Sequence, residues 1–216
     1  MRHIIPAGIS HRRRFIIVSA IAIVAALSSP ATAQICTAPH YRWPAKIDSS
    51  LAGDSAHSVD LNEILADWDA RPLTARDKCA PRAGREDSVY VVTGWVRRIK
   101  RRETDGDWHI EITEEEETPV TQCIVVEIPS PEHGAIYAKA REALNALVDS
   151  IPMSSRGDLD VPILLRFTGA AFFDGYHQTH PKNGGPVRAK QHGRCNSSVR
   201  ALWELHPVYK VEAENP

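Results

Sequence analysis

The chain has 216 residues, with 26 basic and 27 acidic side chains. This length suits one domain of ordinary size built around a single core. A balance so close to neutral lacks the basic footprint of a protein that binds nucleic acid without sequence preference, so the overall charge gives no support to a nucleic-acid partner.

Residues 1–33 have the three-part pattern of a secretory signal peptide. An arginine cluster at 12–14 precedes an apolar run at 15–27, and the small-residue triplet 31–33 ends the segment. The run is shorter than the roughly 20 apolar residues of a membrane-spanning helix, and no later segment is apolar enough to span. We therefore expect cleavage after Ala33 and export of the mature chain to the periplasm or the extracellular space, with 22 basic against 27 acidic residues.

The next segment, residues 34–87, is predicted to be an N-terminal extension with one short helix. Asp60 and Glu63 have the spacing of a capping box, and Pro72 lies beyond the expected helix end. Apolar residues follow the cap at helical spacing and predict a buried face. They are Leu61, Ile64, Leu65 and Trp68.

Three consecutive strands are predicted between residues 88 and 129. The first, Val89–Lys100, is rich in β-branched and aromatic residues, and Gly94 within it predicts a bend or bulge. An Asp-Gly turn at 104–107 joins it to the second strand. The third strand is Cys123–Ile128.

The second strand, which begins at Trp108, shows a regular alternation. Trp108, Ile110 and Ile112 share one face, which we expect to meet the core because successive strand side chains point to opposite sides. His109 and Glu111 then share the outer face.

The remaining elements are a helix and two strands. An apolar stripe over residues 136–151 predicts the helix. A fourth strand is expected at 162–173 and a fifth at 201–211, joined by a polar loop at 174–198.

The order strand, strand, strand, helix, strand, strand resembles the oligonucleotide/oligosaccharide-binding (OB) fold, a five-stranded Greek-key barrel with a helix between its third and fourth strands. The resemblance covers residues 89–211, and residues 92–96 (VTGWV) are similar to the first strand of such domains. It implies a mainly β protein with some α structure, with the OB-like domain at 88–216. Three phrases also resemble those of uncharacterised exported bacterial proteins: DGDWH at 105–109, FFDGYH at 172–177 and ELHPV at 204–208.

Four cysteines follow the leader, and an even number in an exported chain predicts two disulfides with three possible pairings. In the OB fold the third and fifth strands are parallel neighbours. The resemblance therefore implies a bridge between Cys123 and Cys195 and, with it, one between Cys36 and Cys79.

In the OB fold, ligands meet the loops between strands one and two and between strands four and five. Both loops carry basic residues here, with rings nearby that suit stacking on bases or sugars. The expected ligand-binding residues are Arg97, Arg98, Lys100, Trp108, His109, Tyr176, His177, Arg188 and Lys190. A solvated charged hairpin is the alternative, and the neighbouring acids at 111 and 114–117 would repel phosphate.

Two short spacings contain the residue types of a zinc site, His177-x-x-His180 and His192-x-x-Cys195. A cysteine in an oxidising compartment is expected to be bridged, so the sequence predicts no cofactor and no metal. His177, His180 and His192 are the candidate ligands if a metal is bound.

Three carboxylate–imidazole pairs have the residue types of general acid–base catalysis. They are Asp107 with His109, Asp174 with His177, and Glu204 with His206. Strand directions place His109 and His206 at the same end of the fold, whereas His177 reaches them only if its loop folds back. No nucleophile motif, phosphate loop or His-Glu-x-x-His motif accompanies the pairs.

These observations predict a non-catalytic binding module whose ligand is an anionic oligomer or a saccharide. One alternative is a hydrolase, such as a metal-assisted nuclease, that uses His109, His177 and His206. Another is a structural envelope or interaction protein.

Overall fold

The computed structural model describes residues 37–180, 187–190, 192–195 and 198–214. The expected leader at 1–33 lies outside these residues. The described residues belong to one compact unit, Cys36–Pro216. In this part of the chain, no helix combines the length and the apolar character needed to cross a membrane.

The described residues are mainly β and include three α-helices. The helices are α1 (Trp43–Lys46), α2 (Leu61–Asp67) and α3 (Ala135–Val148). The strands are β1 (Ala56–Ser58), β2 (Val89–Lys100), β3 (Trp108–Thr113), β4 (Cys123–Ile128), β5 (Asp158–Phe173), β6 (Gln178–Thr179), β7 (Arg188–Ala189) and β8 (Trp203–Ala213).

Six strands form one sheet in the order β1-β2-β3-β4-β8-β5, and β2 also pairs with β5. The long strands β2, β3, β4, β8 and β5 thus make a closed circuit of pairings, in which β4 and β8 are parallel and all other neighbours are antiparallel. β1 lies parallel to β2. The sheet has six strands where five were expected, because the N-terminal extension supplies a strand as well as helices.

The first three long strands have the predicted bounds, whereas the last two differ. β5 begins at Asp158, four residues before the expected start, because its early part pairs with Arg98 of β2. β8 begins at Trp203 because Val199–Leu202 form a 3-10 turn. The irregularity in β2 lies between Val96 and Arg98, not at Gly94.

The core lies on the face of β3 that the alternation predicted. Ile110 and Ile112 are fully buried against apolar residues of the other long strands and of α3. Trp108 is half-buried, and the guanidinium groups of Arg101 and Arg141 lie 5.3 and 4.8 Å from its ring centroid. The first residue of β3 thus packs at the edge of the core.

Helix α2 docks the extension on the core, as its apolar stripe predicted. Leu61, Ile64 and Trp68 are buried, and the ring of Trp68 meets that of Trp203 edge-on at 5.1 Å. Asp60 stands at the N-cap but its side chain makes no capping hydrogen bond, so the predicted capping box is wrong.

A buried ion pair fixes the chain before α1. The guanidinium of Arg42 donates to both carboxylate oxygens of Glu86 at 2.6 and 2.8 Å and to the carbonyl of Phe173 at 3.1 Å. Both charged side chains are fully buried. Because Phe173 ends β5, this contact brings Tyr41 and Lys46 to one end of the sheet.

Candidate functional site

A pocket of about 500 Å³ opens where several parts of the chain meet. Its walls come from residues 39–46, from Lys78, from the β2–β3 loop, from β3 and β4, and from the segment that follows β5. Most lining side chains are charged or carry an imidazole. They include Lys46, His109, Glu127, Asp174, His177 and His192.

One carboxylate joins a histidine of the pocket wall to a histidine buried behind it. Nδ1 of His109 lies 2.9 Å from Oε1 of Glu127, and Nδ1 of His206 lies 3.0 Å from Oε2 of the same residue. The register of the sheet explains this, since His109 and Glu127 are direct partners across β3 and β4 and β8 runs beside β4. The expectation that His109 and His206 approach each other is confirmed.

Further charges surround this pair. Nε2 of His206 lies 3.1 Å from Oδ2 of Asp107, and Nζ of Lys46 lies 3.7 Å from Oε2 of Glu127 and 3.6 Å from Oδ2 of Asp105. Burial favours the neutral form of each group. Close opposite charges are therefore needed to keep such groups ionised at this depth.

The pKa values follow from that competition. Burial lowers the pKa of His109, but its contacts with Glu111 and Glu127 outweigh burial and raise the pKa to about 9. Burial raises the pKa of Glu127, yet Lys46 and His206 hold it well below its usual range. Burial, reinforced by the charge of Glu127, raises the pKa of Glu204 to about 8. The environment therefore favours the ionised form of Glu127 and the neutral form of its neighbour Glu204.

His109 and Glu111 share the outer face of β3 as predicted, but that face is covered. His109 is 4% exposed and Glu111 is fully buried. The backbone N–H of Arg194 donates to Oε1 of Glu111 at 2.9 Å, and its Nε donates to Oε2 at 2.6 Å. The cover is the turn His192–Cys195, far away in sequence.

That turn depends on a glycine and a disulfide. Gly193 has a positive φ of 59°, and the backbone N–H of Cys195 donates to the carbonyl of His192 at 3.0 Å. The predicted bridge between Cys195 and Cys123 is present, with a Cα–Cα distance of 4.9 Å. The bridge anchors His192 beside the start of β4. The ring of His192 lies edge-on to that of His109, with centroids 5.3 Å apart.

The segment after β5 folds back toward these rings. His177 stacks on His192 with ring centroids 4.7 Å apart. Oδ2 of Asp174 lies 3.6 Å from Nε2 of His177 and 3.9 Å from Nε2 of His192. The loop thus folds back far enough for His177 to reach His192, whose ring in turn meets that of His109.

Several residues of the predicted basic loops are engaged by other parts of the chain. Arg98 lies 3.5 Å from Glu111 and 3.4 Å from Asp158. Arg97 donates to backbone carbonyls of residues 116 and 118, and Lys100 pairs with Glu103. Arg188 and Lys190 are exposed. Of the expected ligand-binding set, Lys100, His109, Tyr176 and His177 line the pocket.

The expected zinc spacings are not the ones that the fold brings together. Cys195 is in the disulfide, and Nε2 of His180 lies 2.9 Å from Nε2 of Gln178. His177 and His192 do meet, but with Asp174 as the third member. Cys36, the expected partner of Cys79, lies outside the described residues.

Sequence reasoning missed Glu127 and Lys46. Glu127 is the single acid in the otherwise apolar strand Cys123–Ile128, and a lone carboxylate in a buried strand is a usable signal. Lys46 lies in the N-terminal extension, where no apolar strand surrounds the charged residue and marks it as unusual.

Comparison with known families and with curated proteins yields no match. The functional argument therefore rests on the pocket itself.

Proposed function

We propose that the protein is an exported, non-catalytic binding module of OB-like fold that takes a compact saccharide in this pocket. The circuit of five long strands, with α3 between β4 and β5, supports the relation to the OB fold. The disulfide supports export, since such bridges persist in oxidising compartments.

The observation that carries the proposal is the pairing of charges in the pocket wall. Lys46 faces Glu127 and Asp105, His109 faces Glu127, and Lys100 faces Glu103. A wall of matched charges presents many hydrogen-bonding groups but little net charge. A ligand with several hydroxyl groups and no net charge satisfies such a wall. The volume of about 500 Å³ lies within the range of small-molecule sites.

An aromatic side chain stands at the pocket rim. Tyr176 is 51% exposed, lines the pocket and lies 5.9 Å from the ring of Tyr41. An exposed ring beside a polar pocket offers an apolar face on which the C–H face of a sugar ring can pack.

An anionic oligomer fits the same pocket less well. Lys46 and Lys100 in its wall are already paired with carboxylates, so a polyanion would compete with these carboxylates. The salt dependence of the affinity distinguishes the two ligand classes. Affinity for a polyanion falls steeply as salt increases, whereas affinity for a neutral saccharide is expected to stay nearly constant between low and physiological salt.

Calorimetric titration with a panel of neutral mono- and oligosaccharides tests the proposal. Tyr176→Ala should weaken binding about tenfold because a stacked ring contributes on the order of 1 kcal/mol, and Tyr176→Phe should bind like the wild type. Absence of saccharide binding, or equal affinity in Tyr176→Ala, would contradict it.

A hydrolase is the second candidate, because Glu127 orients the imidazole of His109 in the pocket wall. His206 is fully buried and stands behind the wall, away from a ligand. The test is hydrolysis of model glycosides or phosphodiesters. Activity that is lost in His109→Asn, at unchanged thermal stability, would show that the protein is a hydrolase and not a non-catalytic binding module.

A further inference from the structure

Three side chains at the outer wall of the pocket bring possible ligand atoms close together. One such atom from each of Asp174, His177 and His192 lies within 4.8 Å of the other two. The two separations that involve Asp174 and the Nε2 atoms are 3.6 and 3.9 Å. These separations are longer than ordinary hydrogen bonds.

We propose that Asp174, His177 and His192 bind a divalent first-row transition metal ion of the zinc type. Two imidazoles and one carboxylate form a common protein donor set for such ions. Nitrogen and oxygen ligands at about 2.0–2.2 Å from a tetrahedral ion are about 3.3–3.5 Å apart. The two separations that involve Asp174, 3.6 and 3.9 Å, must contract to these values, and the stacked rings of His177 and His192 must turn their nitrogens toward the ion.

The ligands are held in position by a second set of contacts. Oδ1 of Asp174 accepts a hydrogen bond from the backbone N–H of Tyr176 at 3.0 Å, which turns Oδ2 toward the histidines. Nδ1 of His192 lies 3.3 Å from Oε1 of Glu204, although the pair has no full hydrogen-bond geometry among the described residues. An oxygen acceptor at the far nitrogen is the usual partner of a metal-bound imidazole. The carbonyl oxygen of a neutral Glu204 carboxyl can act as this acceptor and leaves Nε2 of His192 for the metal.

The neighbouring clusters are poorer candidates. His109 with Glu127 and His192, and Asp107 with Glu127 and His206, also bring three donor atoms together. Both need Glu127, whose oxygens already contact His109 and His206. Its Oε2 also lies 3.7 Å from the ammonium group of Lys46, so a cation placed there would be repelled by a buried positive charge.

A metal ion at this site would give the pocket a coordination position in addition to its hydrogen-bonding groups. Three protein ligands leave at least one coordination position of a zinc-type ion, and all three ligands line the pocket. The ion could therefore contact an oxygen atom of the organic ligand. Metal binding is measured without any saccharide, so this inference stands or falls separately from the proposed function.

The test is a zinc titration of the folded, disulfide-bonded chain after treatment with a chelator. Calorimetry and elemental analysis should show one zinc ion per chain. Asp174→Asn and His177→Ala should each weaken binding by about 100-fold or more, since loss of a second-shell partner alone costs about 10–100-fold. His180→Ala is the matched control from the same segment and should bind zinc like the wild type.

Two results would overturn the proposal. One is the absence of stoichiometric zinc binding by the wild type, and the other is an equal loss of affinity in His180→Ala and His177→Ala. Cobalt provides a second measurement on the wild type, which does not depend on whether a variant folds. Cobalt bound at this site should show d–d absorption without thiolate charge-transfer bands, because the ligands are nitrogen and oxygen. Thiolate bands, or an absence of d–d absorption, would exclude the proposed ligands.

Discussion

At the scale of single residues, the pocket depends on close contacts that a larger side chain would disrupt. Gly193 is the clearest case. A Cβ atom on this residue would lie 2.4 Å from Oε1 of Glu111 and 2.7 Å from Nε2 of His109, and the φ of Gly193 is positive. The glycine therefore lets the turn approach β3 closely enough to bury His109.

Gly193→Ala should reduce the free energy of unfolding by about 3 kcal/mol, because it adds steric overlap to an unfavourable backbone conformation. Gly84→Ala is the matched control, since Gly84 also has a positive φ but has open space around its Cβ position. The control should cost about 1 kcal/mol. Urea unfolding measures both variants, and equal losses would show that the turn does not pack as described.

The pKa of the Glu111 carboxyl predicts how the stability of the fold changes at acidic pH. Burial raises its pKa, but the close imidazole of His109 and the hydrogen bonds from Arg194 outweigh burial and lower the pKa to about 2. A carboxyl with a depressed pKa stabilises the fold fully above the pKa of the unfolded chain, about 4.5, and loses this effect as the pH falls through about 2.

Urea unfolding of the wild type between pH 5 and pH 2, with chelator present, should therefore show a loss on the order of 3 kcal/mol from this group. Glu111→Gln should be less stable at pH 5 and should show a flatter decline. Glu116→Gln, an exposed control, should follow the wild type. An equally steep decline in Glu111→Gln would contradict the assignment.

At the scale of secondary-structure elements, the site is assembled by connections that are distant in sequence. β3 and β4 supply His109 and Glu127, and the His192–Cys195 turn covers them. The Cys123–Cys195 disulfide closes a separation of 72 residues and fixes this turn at the start of β4. The metal ligand His192 is only three residues from the bridge, so the bridge should support both folding and metal binding.

Replacing both cysteines, Cys123→Ala with Cys195→Ala, should lower the free energy of unfolding by about 4 kcal/mol on the chain-entropy account. Zinc affinity should fall as well, because the turn that carries His192 is no longer anchored. Urea unfolding and zinc titration measure the two effects. Unchanged zinc affinity in a folded double variant would show that His192 is not a ligand.

The elements also show what local sequence patterns can predict. The bounds of β2, β3 and β4 follow from runs of β-branched and alternating residues, which are local properties. The alternation of β3 correctly separated Ile110 and Ile112 from His109 and Glu111. It could not show what covers the second face, because the covering turn comes from about 80 residues later in the chain.

At the scale of the whole molecule, charges that look free in the sequence are paired in the structure. Arg98 was predicted to bind ligand, but the circuit of strands brings it to Glu111 and Asp158. Lys46 carried no signal, yet the buried Arg42–Glu86 pair helps to bring its segment to the pocket. Such pairings depend on the three-dimensional path of the chain, so residue types and spacing indicated the acids and histidines of the site but not their partners.

The central claim is that the outer wall of this pocket is a metal-binding site and not only a network of structural contacts. Anomalous diffraction from crystals grown with zinc, recorded above the zinc absorption edge, tests it most directly. We predict one strong peak at about 2.0–2.2 Å from Oδ2 of Asp174, Nε2 of His177 and Nε2 of His192. A zinc peak bound instead by His180, or no peak at this wall, would contradict the account.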